Sequence, residues 1–127
     1  DAFRIFADHV REKYQAEPGF ITMNLPMMLD TLESVGIENP IICCNINKIG
    51  FRMSGGIAKY EELLATRRFR AIAMSVLASG AISPREAIEY VAKLKGVESI
   101  VFGASSRANI QQTNNLIGEY WKNRAAA

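Results

Sequence analysis

The stretch FRAIAMSVLASGAISPREAIEYVAKLKGVESIVFGASSR, residues 69–107, decides the fold. Its apolar run at residues 69–77 predicts a buried strand, residues 83–95 predict a helix, and residues 99–105 predict a second apolar strand. Parallel strands need a crossover connection, and such crossovers are almost always right-handed. The stretch therefore predicts one β-α-β unit with parallel strands.

The helix of this unit has clear signals at both ends. Ser83 is a typical N-cap, Pro84 fits the first helical position, and Glu86 completes a capping box. Gly96 stands where a left-handed residue often follows the last turn. Between these ends an apolar stripe at helical spacing is available to pack on a sheet; its members are Ala87, Ile88, Val91 and Ala92.

The rest of the chain repeats this alternation. Apolar spacing and turn residues predict helices at 2–15, 25–35, 57–68 and 107–123, strands at 20–24 and 41–47, a loop at 48–56, and frayed residues at 125–127. One helix followed by four strand-helix pairs is the pattern of a single α/β domain, residues 1–127, with a parallel sheet. A doubly wound sheet and a barrel both remain compatible with this period.

The first and last predicted helices carry apolar stripes that we expect to face the core. The first stripe consists of Phe3, Phe6, Ala7, Val10 and Tyr14, and the last consists of Ile110, Thr113, Ile117, Tyr120 and Trp121.

Alternation along the strands favours a barrel. On each strand one alternating set is small or polar toward the carboxyl end, as expected for a barrel interior beneath a ligand, and the other set is larger, as expected under outer helices. The small or polar set is Thr22, Asn24, Cys43, Asn45, Asn47, Ala71, Ala73, Ser75, Val101, Gly103 and Ser105.

Four strands are half of the eight in a (β/α)8 TIM barrel. The first strand would then have an unpaired edge, and the chain begins within a helical pattern. We therefore expect a half-barrel fragment that lacks its N-terminal half-barrel, and self-association is a second way to supply the missing strands.

Composition excludes several classes of function. The formal charge is +2, with 15 basic and 13 acidic residues, so nucleic acid and anionic membranes are not expected partners. No apolar run approaches the roughly 20 residues of a membrane span, and no signal peptide is visible, which predicts a cytoplasmic protein. The adjacent Cys43 and Cys44 are too close for an ordinary disulfide, and His9 is the single histidine, so no metal site or His-based triad is predicted.

Polar residues at the carboxyl ends of the predicted strands are the best candidates for a ligand site. Amides and hydroxyls orient ligands well but are poor general acids or bases, so we expect a small-molecule binding half-site with no catalytic residue. These candidates are Asn24, Asn45, Asn47 with Lys48, Ser75 with Ser79, and the segment Gly103, Ala104, Ser105, Ser106, Arg107.

Two features of these strand ends suit an anionic group. A glycine turn leads into a helix N-terminus at residues 103–107; a phosphate site and a plain turn capped by Ser105 or Ser106 are equally compatible with it. The glycine-rich loop 48–56 is the best candidate for a mobile lid. Its Lys48 and Arg52 could clamp an anionic substrate, although solvated loop charges explain them more simply.

From about Val10 to Leu116 the chain resembles the C-terminal half of the aldo-keto reductase superfamily. Residues 21–24, ITMN, are similar to the family strand that ends in Ser-Asn, and residues 40–51 are similar to its Asn-Gln-hydrophobic-Glu segment. Residues 73–77, AMSVL, resemble Ala-Tyr-Ser-Pro-Leu, and residues 100–110, IVFGASSRANI, resemble the Ile-Pro-Gly-Ala-Ser segment that begins the last helix.

The resemblance implies strands five to eight of a (β/α)8 barrel that binds NADP or NAD. It places Asn24 and Asn45 at the nicotinamide carboxamide and Ser75 with Leu77 near the pyrophosphate. At the adenosine end it places Gly103, Ala104 and Ser105, with Arg107 as the nearby cation. Met74 stands at the family's stacking tyrosine, and the family's catalytic residues belong to the first four strands, outside this chain.

The first functional hypothesis is therefore the cofactor-binding half of an oxidoreductase that transfers hydride between NAD(P)H and a carbonyl substrate. A lyase or isomerase barrel that acts on a phosphorylated metabolite is an alternative, because it would need the anion site but not a nicotinamide pocket. A non-catalytic half-barrel that acts by assembly is the third hypothesis.

Overall fold

The structure is a computed structural model that describes residues 1–125. Its helices are α1 (Ala2–Tyr14), α2 (Leu25–Ser34), α3 (Ile57–Thr66), α4 (Pro84–Lys93) and α5 (Arg107–Ala125), and its strands are β1 (Gly19–Thr22), β2 (Ile41–Asn45), β3 (Arg70–Met74) and β4 (Val97–Ile100). A short 3₁₀ turn spans Ala78–Gly80. Of the residues expected to fray, 126 and 127 lie outside the described residues.

The four strands form one sheet in the order β1-β2-β3-β4, and every neighbouring pair is parallel. The prediction of an α/β fold built from parallel β/α units is therefore confirmed. The strands are shorter than predicted, mainly at their carboxyl ends, because the backbone after Thr22, Asn45, Met74 and Ile100 leaves the sheet for the connecting loops.

The two faces of the sheet differ in burial. Phe20, Ile42, Ala71 and Val97 lie in one register row, and each is at most 8% exposed. On the other face, Ile21 is 67% exposed, and the side chains in register with it on β2 and β3 are only half-buried. One face therefore carries the core, and the other is largely open within this chain.

The register corrects the alternating sets predicted from the sequence. Thr22 is in register with Cys44 rather than with Cys43, and Ala73 is in register with Cys44 as well. Cys43 lies beside Ile72 on the open face, which a barrel would turn inward, whereas Ala71 and Ala73 lie on the helix-covered face, opposite to their predicted place. The prediction was wrong because small and large apolar residues alternate with different phases on successive strands, and only the pairing register fixes those phases.

The helices build the core against the buried face. Each of the three helices between strands contributes apolar side chains to one cluster with the sheet, as expected for amphipathic helices that cover a parallel sheet. These side chains are Leu25, Leu29 and Leu32 from α2, Tyr60, Leu63 and Leu64 from α3, and Ile88 and Val91 from α4.

The ends of α4 follow the predicted chemistry. Ser83 Oγ accepts a hydrogen bond from the Glu86 backbone N–H at 3.4 Å, so the predicted N-cap is confirmed. The Glu86 carboxylate pairs with Lys48 instead of returning to the cap. Gly96 has φ +80°, and a Cβ there would lie 3.0 Å from the Leu64 carbonyl oxygen, so glycine is required for both conformation and space.

The terminal helices pack less completely than their stripes predicted. On α1 only Ala7 is buried; Phe6 and Tyr14 are 45% and 62% exposed. On α5, Ile110 is 50% exposed, while Leu116, which the predicted stripe omitted, is buried. Helical spacing identifies a stripe, but the neighbouring elements decide how much of it is covered, and α1 lies beside the edge strand β1.

Candidate ligand-binding site

Two adjoining clefts open at the carboxyl ends of β3 and β4. The larger, of about 580 Å³, is lined by Phe51, Arg52, Met74, Ser75, Val76, Leu77, Ser79, Gly80, Val101, Phe102 and Gly103. The smaller, of about 250 Å³, is lined by Leu77, Pro84, Gly103, Ala104, Ser105, Asn109, Gln112 and Thr113. Because Leu77 and Gly103 line both clefts, one elongated ligand could span them.

Left-handed backbone conformations are concentrated at the larger cleft. Arg52, Ser75 and Ser79 have φ of 55°, 55° and 58°, and all three line it. Ala78, with φ 48°, lies between two of the lining residues. A non-glycine residue in this conformation costs about 1–3 kcal/mol, and such strain tends to gather at functional sites. Four of the six non-glycine residues with positive φ in the described chain therefore lie at or beside this cleft; Asn39, with φ 47°, lines a separate cleft near the amino end of β2.

Asn47 ties the two sides of this cleft together. Its side chain is fully buried; Oδ1 accepts a hydrogen bond from the Phe51 N–H at 2.8 Å, and Nδ2 donates to the Phe51 carbonyl at 2.9 Å and to the Ser75 carbonyl at 3.3 Å. The sequence predicted that Asn47 binds substrate. The structure directs its hydrogen bonds to the backbone of the loop after β2 and of the turn after β3.

Asn45 holds the same loop at the next residue, Arg52. It is 1% exposed, and its Nδ2 donates to the Arg52 carbonyl at 3.0 Å. The Arg52 guanidinium lies 5.0 Å from the Phe51 ring centroid, a cation–π distance. The loop that the sequence predicted to be a mobile lid is therefore anchored at both Phe51 and Arg52.

The charges around the clefts are unevenly distributed. Arg52 is the one charged residue that lines either cleft, and it forms no salt bridge with a carboxylate in residues 1–125. Lys48, predicted with Arg52 as an anion clamp, forms a salt bridge with Glu86. The larger cleft thus presents one cation and two serine hydroxyls, with no lining carboxylate.

The N-terminus of α5 is a capped turn beside the smaller cleft. Ser106 Oγ accepts from the Asn109 N–H at 3.1 Å, and Asn109 Nδ2 donates to Ser105 Oγ at 3.4 Å. Gly103, Ala104 and Ser105 line the cleft, whereas Arg107 does not. The cap accounts for the two serines without any ligand.

Asn24 lies apart from both clefts. Its Oδ1 accepts from the Met27 N–H at 3.2 Å, so it caps α2. Close by, the Tyr60 hydroxyl donates to the Met23 carbonyl at 3.0 Å and accepts from the Leu25 N–H at 3.1 Å, which joins α3 to the end of β1. Burial raises the pKa of the Tyr60 phenol, which remains a neutral hydrogen-bonding group near neutral pH.

The structure thus brings together five of the eight residues predicted to bind the cofactor; those lining the clefts are Ser75, Leu77, Gly103, Ala104 and Ser105. Sequence reasoning missed Phe51 and Phe102 as cleft walls. Phe51, directly after Gly50 in the loop, was the residue from which this could have been predicted. An aromatic ring in a loop is usually covered by other side chains or by a ligand.

No group of three or more His, Cys, Asp or Glu side chains within residues 1–125 could hold a metal ion. Cys43 and Cys44 are free thiols, and burial raises the pKa of Cys44 to about 12. None of the helices within residues 1–125 is long and apolar enough to span a bilayer.

Comparisons with protein-family models, with curated proteins and with solved structures each found no match. The similarity to aldo-keto reductases therefore depends on the sequence motifs alone.

Proposed function

We propose that this chain is the cofactor-binding half of a (β/α)8 barrel oxidoreductase that resembles the aldo-keto reductases. In the complete protein, the two clefts would hold NADP or NAD, and hydride would pass between the nicotinamide and a carbonyl substrate. The catalytic acid and base would come from the half that this chain does not contain.

The observation that carries the proposal is the composition of the cleft walls. Five residues that the family resemblance assigns to the cofactor line two clefts that meet at Leu77 and Gly103. The clefts lie at the carboxyl ends of parallel strands, where β/α barrels bind their ligands. The resemblance and the cavity geometry are separate lines of argument that agree on these five residues; Asn24, Asn45 and Arg107, also assigned by the resemblance, line neither cleft.

Sheet topology supports a half-barrel. Strands in sequential order, with one buried face and one open face, match a segment of a barrel wall, whereas a doubly wound sheet reverses its strand order and carries helices on both faces. Each of the five helices contributes side chains to the core cluster on the buried face or packs against it.

The number of helices indicates what would complete such a barrel. A closed barrel has eight strands and a ring of eight helices. This chain has four strands and five helices within residues 1–125, so a complement of four strands and three helices fits. A second copy would bring two helices too many, which argues against barrel closure by self-association.

The residue at the position that stacks on the nicotinamide in the family differs in this chain. Met74 lines the larger cleft at the position of the family's tyrosine, but Phe51 and Phe102 line the same cleft. Either ring offers a planar apolar surface, so we assign stacking on the nicotinamide to one of these phenylalanines.

The test is a fluorescence titration of the chain with NADPH and NADH, repeated with the variant Gly103→Leu. A Cβ at Gly103 meets no atom within 4 Å, so leucine should fill the junction of the clefts without disturbing the fold. Gly118→Leu is the matched control, because Gly118 also has open space but lies on α5 away from the clefts. We expect binding that Gly103→Leu abolishes and Gly118→Leu preserves; no binding of either nucleotide would overturn the proposal.

Met74 favours one other function. Without the stacking tyrosine, the clefts would suit a lyase or isomerase that binds a phosphorylated metabolite through Arg52 and the α5 N-terminus. Binding of a sugar phosphate in the absence of any nucleotide binding would support that alternative.

A further inference from the structure

We propose that Arg52 binds an oxyanion, a carboxylate or phosphate, on the substrate of the complete protein. This inference deepens the proposed function, because it concerns the larger of the same two clefts and names the chemical class of the substrate.

The charge at the two clefts comes from one arginine. Arg52 is the one charged residue lining either cleft, and within residues 1–125 no carboxylate pairs with it. Five other arginines of the described chain, Arg4, Arg11, Arg67, Arg70 and Arg85, form salt bridges with acidic side chains. A guanidinium without an acidic partner retains its full capacity for a bidentate bond to a ligand oxyanion.

Hydrogen bonds from two buried side chains fix the backbone around Arg52. Its carbonyl accepts a hydrogen bond from the buried Asn45, and both backbone groups of the preceding Phe51 are bonded to the buried Asn47. Its own φ of 55° is a conformation that arginine adopts only at a cost in free energy. Two buried amides therefore hold a strained backbone at the residue that presents the charge.

The lining of the larger cleft also restricts the shape of the ligand. The Phe51 ring lies beneath the guanidinium, with 5.0 Å between the ring centroid and Arg52 Cζ, and the hydroxyl-bearing Ser75 and Ser79 line the same cleft. A small molecule with a planar apolar part and an oxyanion would satisfy the ring, the cation and the hydroxyls together. Arg52 comes from the loop after β2, whereas Gly103, Ala104 and Ser105 follow β4, so the oxyanion and the adenosine end of a cofactor would occupy separate parts of the site.

The experiment is a titration of the ¹⁵N-labelled chain with benzoate, with inorganic phosphate and with benzamide, which is the neutral analogue of benzoate. We expect one or both oxyanions to shift the amide signals of Phe51, Arg52 and Ser75, and benzamide to bind at least tenfold more weakly than the tighter of the two oxyanions. Arg52→Gln should weaken oxyanion binding roughly tenfold, because a charge-assisted hydrogen bond is lost.

Three variants distinguish the contribution of the Arg52 side chain to oxyanion binding from that of the hydrogen bond that holds its backbone. Arg68→Gln removes the same charge from an exposed arginine that lines neither cleft, and it should leave binding unchanged. Arg52→Lys keeps the charge without the planar fork and should lose only part of the affinity. Asn45→Ala keeps the guanidinium but frees the Arg52 carbonyl, and we expect it to weaken oxyanion binding as well.

The outcomes also separate this inference from the proposed cofactor. Oxyanion binding that depends on Arg52, without any nucleotide binding, would support the inference and contradict the nicotinamide proposal. Displacement of the oxyanion by NADPH, together with loss of NADPH binding in Arg52→Gln, would show that Arg52 holds the cofactor and would overturn the substrate assignment. Binding of neither oxyanion, benzamide binding as tight as that of the tighter oxyanion, or equal oxyanion binding to the wild type and to Arg52→Gln would overturn it as well.

Discussion

Two arginines at opposite ends of the strands, Arg67 and Arg52, differ in their partners. At the amino end, Arg67 is neutralised by two carboxylates, Asp30 at 3.2 Å and Glu33 at 2.8 Å. At the carboxyl end, Arg52 has an aromatic ring beneath it and no salt bridge within residues 1–125. Arg67 therefore serves the fold, whereas Arg52 remains available to a ligand.

The backbone shows the same contrast. Gly36 and Gly96, near the amino ends of β2 and β4, adopt positive φ as glycines, for which the conformation carries no steric cost. Ser75 and Ser79, beyond the carboxyl end of β3, adopt positive φ with a Cβ. Two further residues with a Cβ and positive φ, Gln15 and Asn39, precede β1 and β2, whereas four, Arg52, Ser75, Ala78 and Ser79, lie at or beside the larger cleft. Strained backbone is therefore more frequent where the clefts open, a pattern associated with functional sites.

Asn47→Ala should have the largest effect on stability. The change removes three hydrogen bonds from buried surroundings and leaves the carbonyls of Phe51 and Ser75 without this donor. We expect the free energy of unfolding, measured by urea denaturation, to fall by about 3 kcal/mol. Hydrogen exchange should accelerate in both loop 48–56 and turn 75–80.

Asn45→Ala is the matched control for that experiment. Its side-chain amide reaches only the Arg52 carbonyl, so exchange should accelerate in loop 48–56 while turn 75–80 keeps its protection. Unchanged exchange at residues 75–80 in Asn47→Ala would mean that Asn47 does not couple the two walls of the cleft.

A pair of substitutions at positive φ should give the next largest effect. Gly96→Ala places a Cβ 3.0 Å from the Leu64 carbonyl oxygen at φ +80°, and we expect it to lower the free energy of unfolding by about 2 kcal/mol. Ser75→Gly relieves strain but adds freedom to the unfolded chain, so stability should stay within about 0.5 kcal/mol of the wild type.

Thermal unfolding of both variants would check the contrast between the two ends. Comparable losses of stability in Gly96→Ala and Ser75→Gly would contradict it.

Glu17→Gln should produce the smallest effect, visible in acid. A hydrogen bond and the charge of Arg70 hold the pKa of Glu17 below its usual value. The stability that this contact adds is therefore present above the ordinary carboxyl pKa and is lost as the pH falls through the lowered one. Between pH 7 and pH 3 the wild type should lose slightly more thermal stability than Glu17→Gln.

Glu38→Gln is the control for this pH series, because Glu38 is exposed and forms no salt bridge within residues 1–125. Its pH profile should match the wild type. An identical profile for Glu17→Gln would show that the Arg70 contact has no effect on folding.

Local signals predicted the parallel strand-helix units because caps, turn residues and apolar spacing act within a few residues. Ser83 and Gly96 are examples, and both behave as their types indicate. The faces of the strands could not be predicted in the same way. Whether Thr22 lies beside Cys43 or Cys44 depends on the register of two strands far apart in the chain, and no local residue encodes that register.

For the candidate site, the sequence placed Ser75 and Gly103 correctly at the strand ends, since parallel strands bring those ends to one edge. It could not tell which polar groups face a ligand. An asparagine such as Asn47 is chemically suited to a substrate and to a loop backbone alike, and only the packing around it decides between them.

The measurement that tests the central claim most directly is an NMR titration of the ¹⁵N-labelled chain with NADPH. Binding in the two clefts predicts chemical-shift changes at Ser75, Leu77, Gly103, Ala104 and Ser105, with the amide signals at the amino ends of the strands unchanged. No saturable change, or changes confined to residues outside both clefts, would contradict the account.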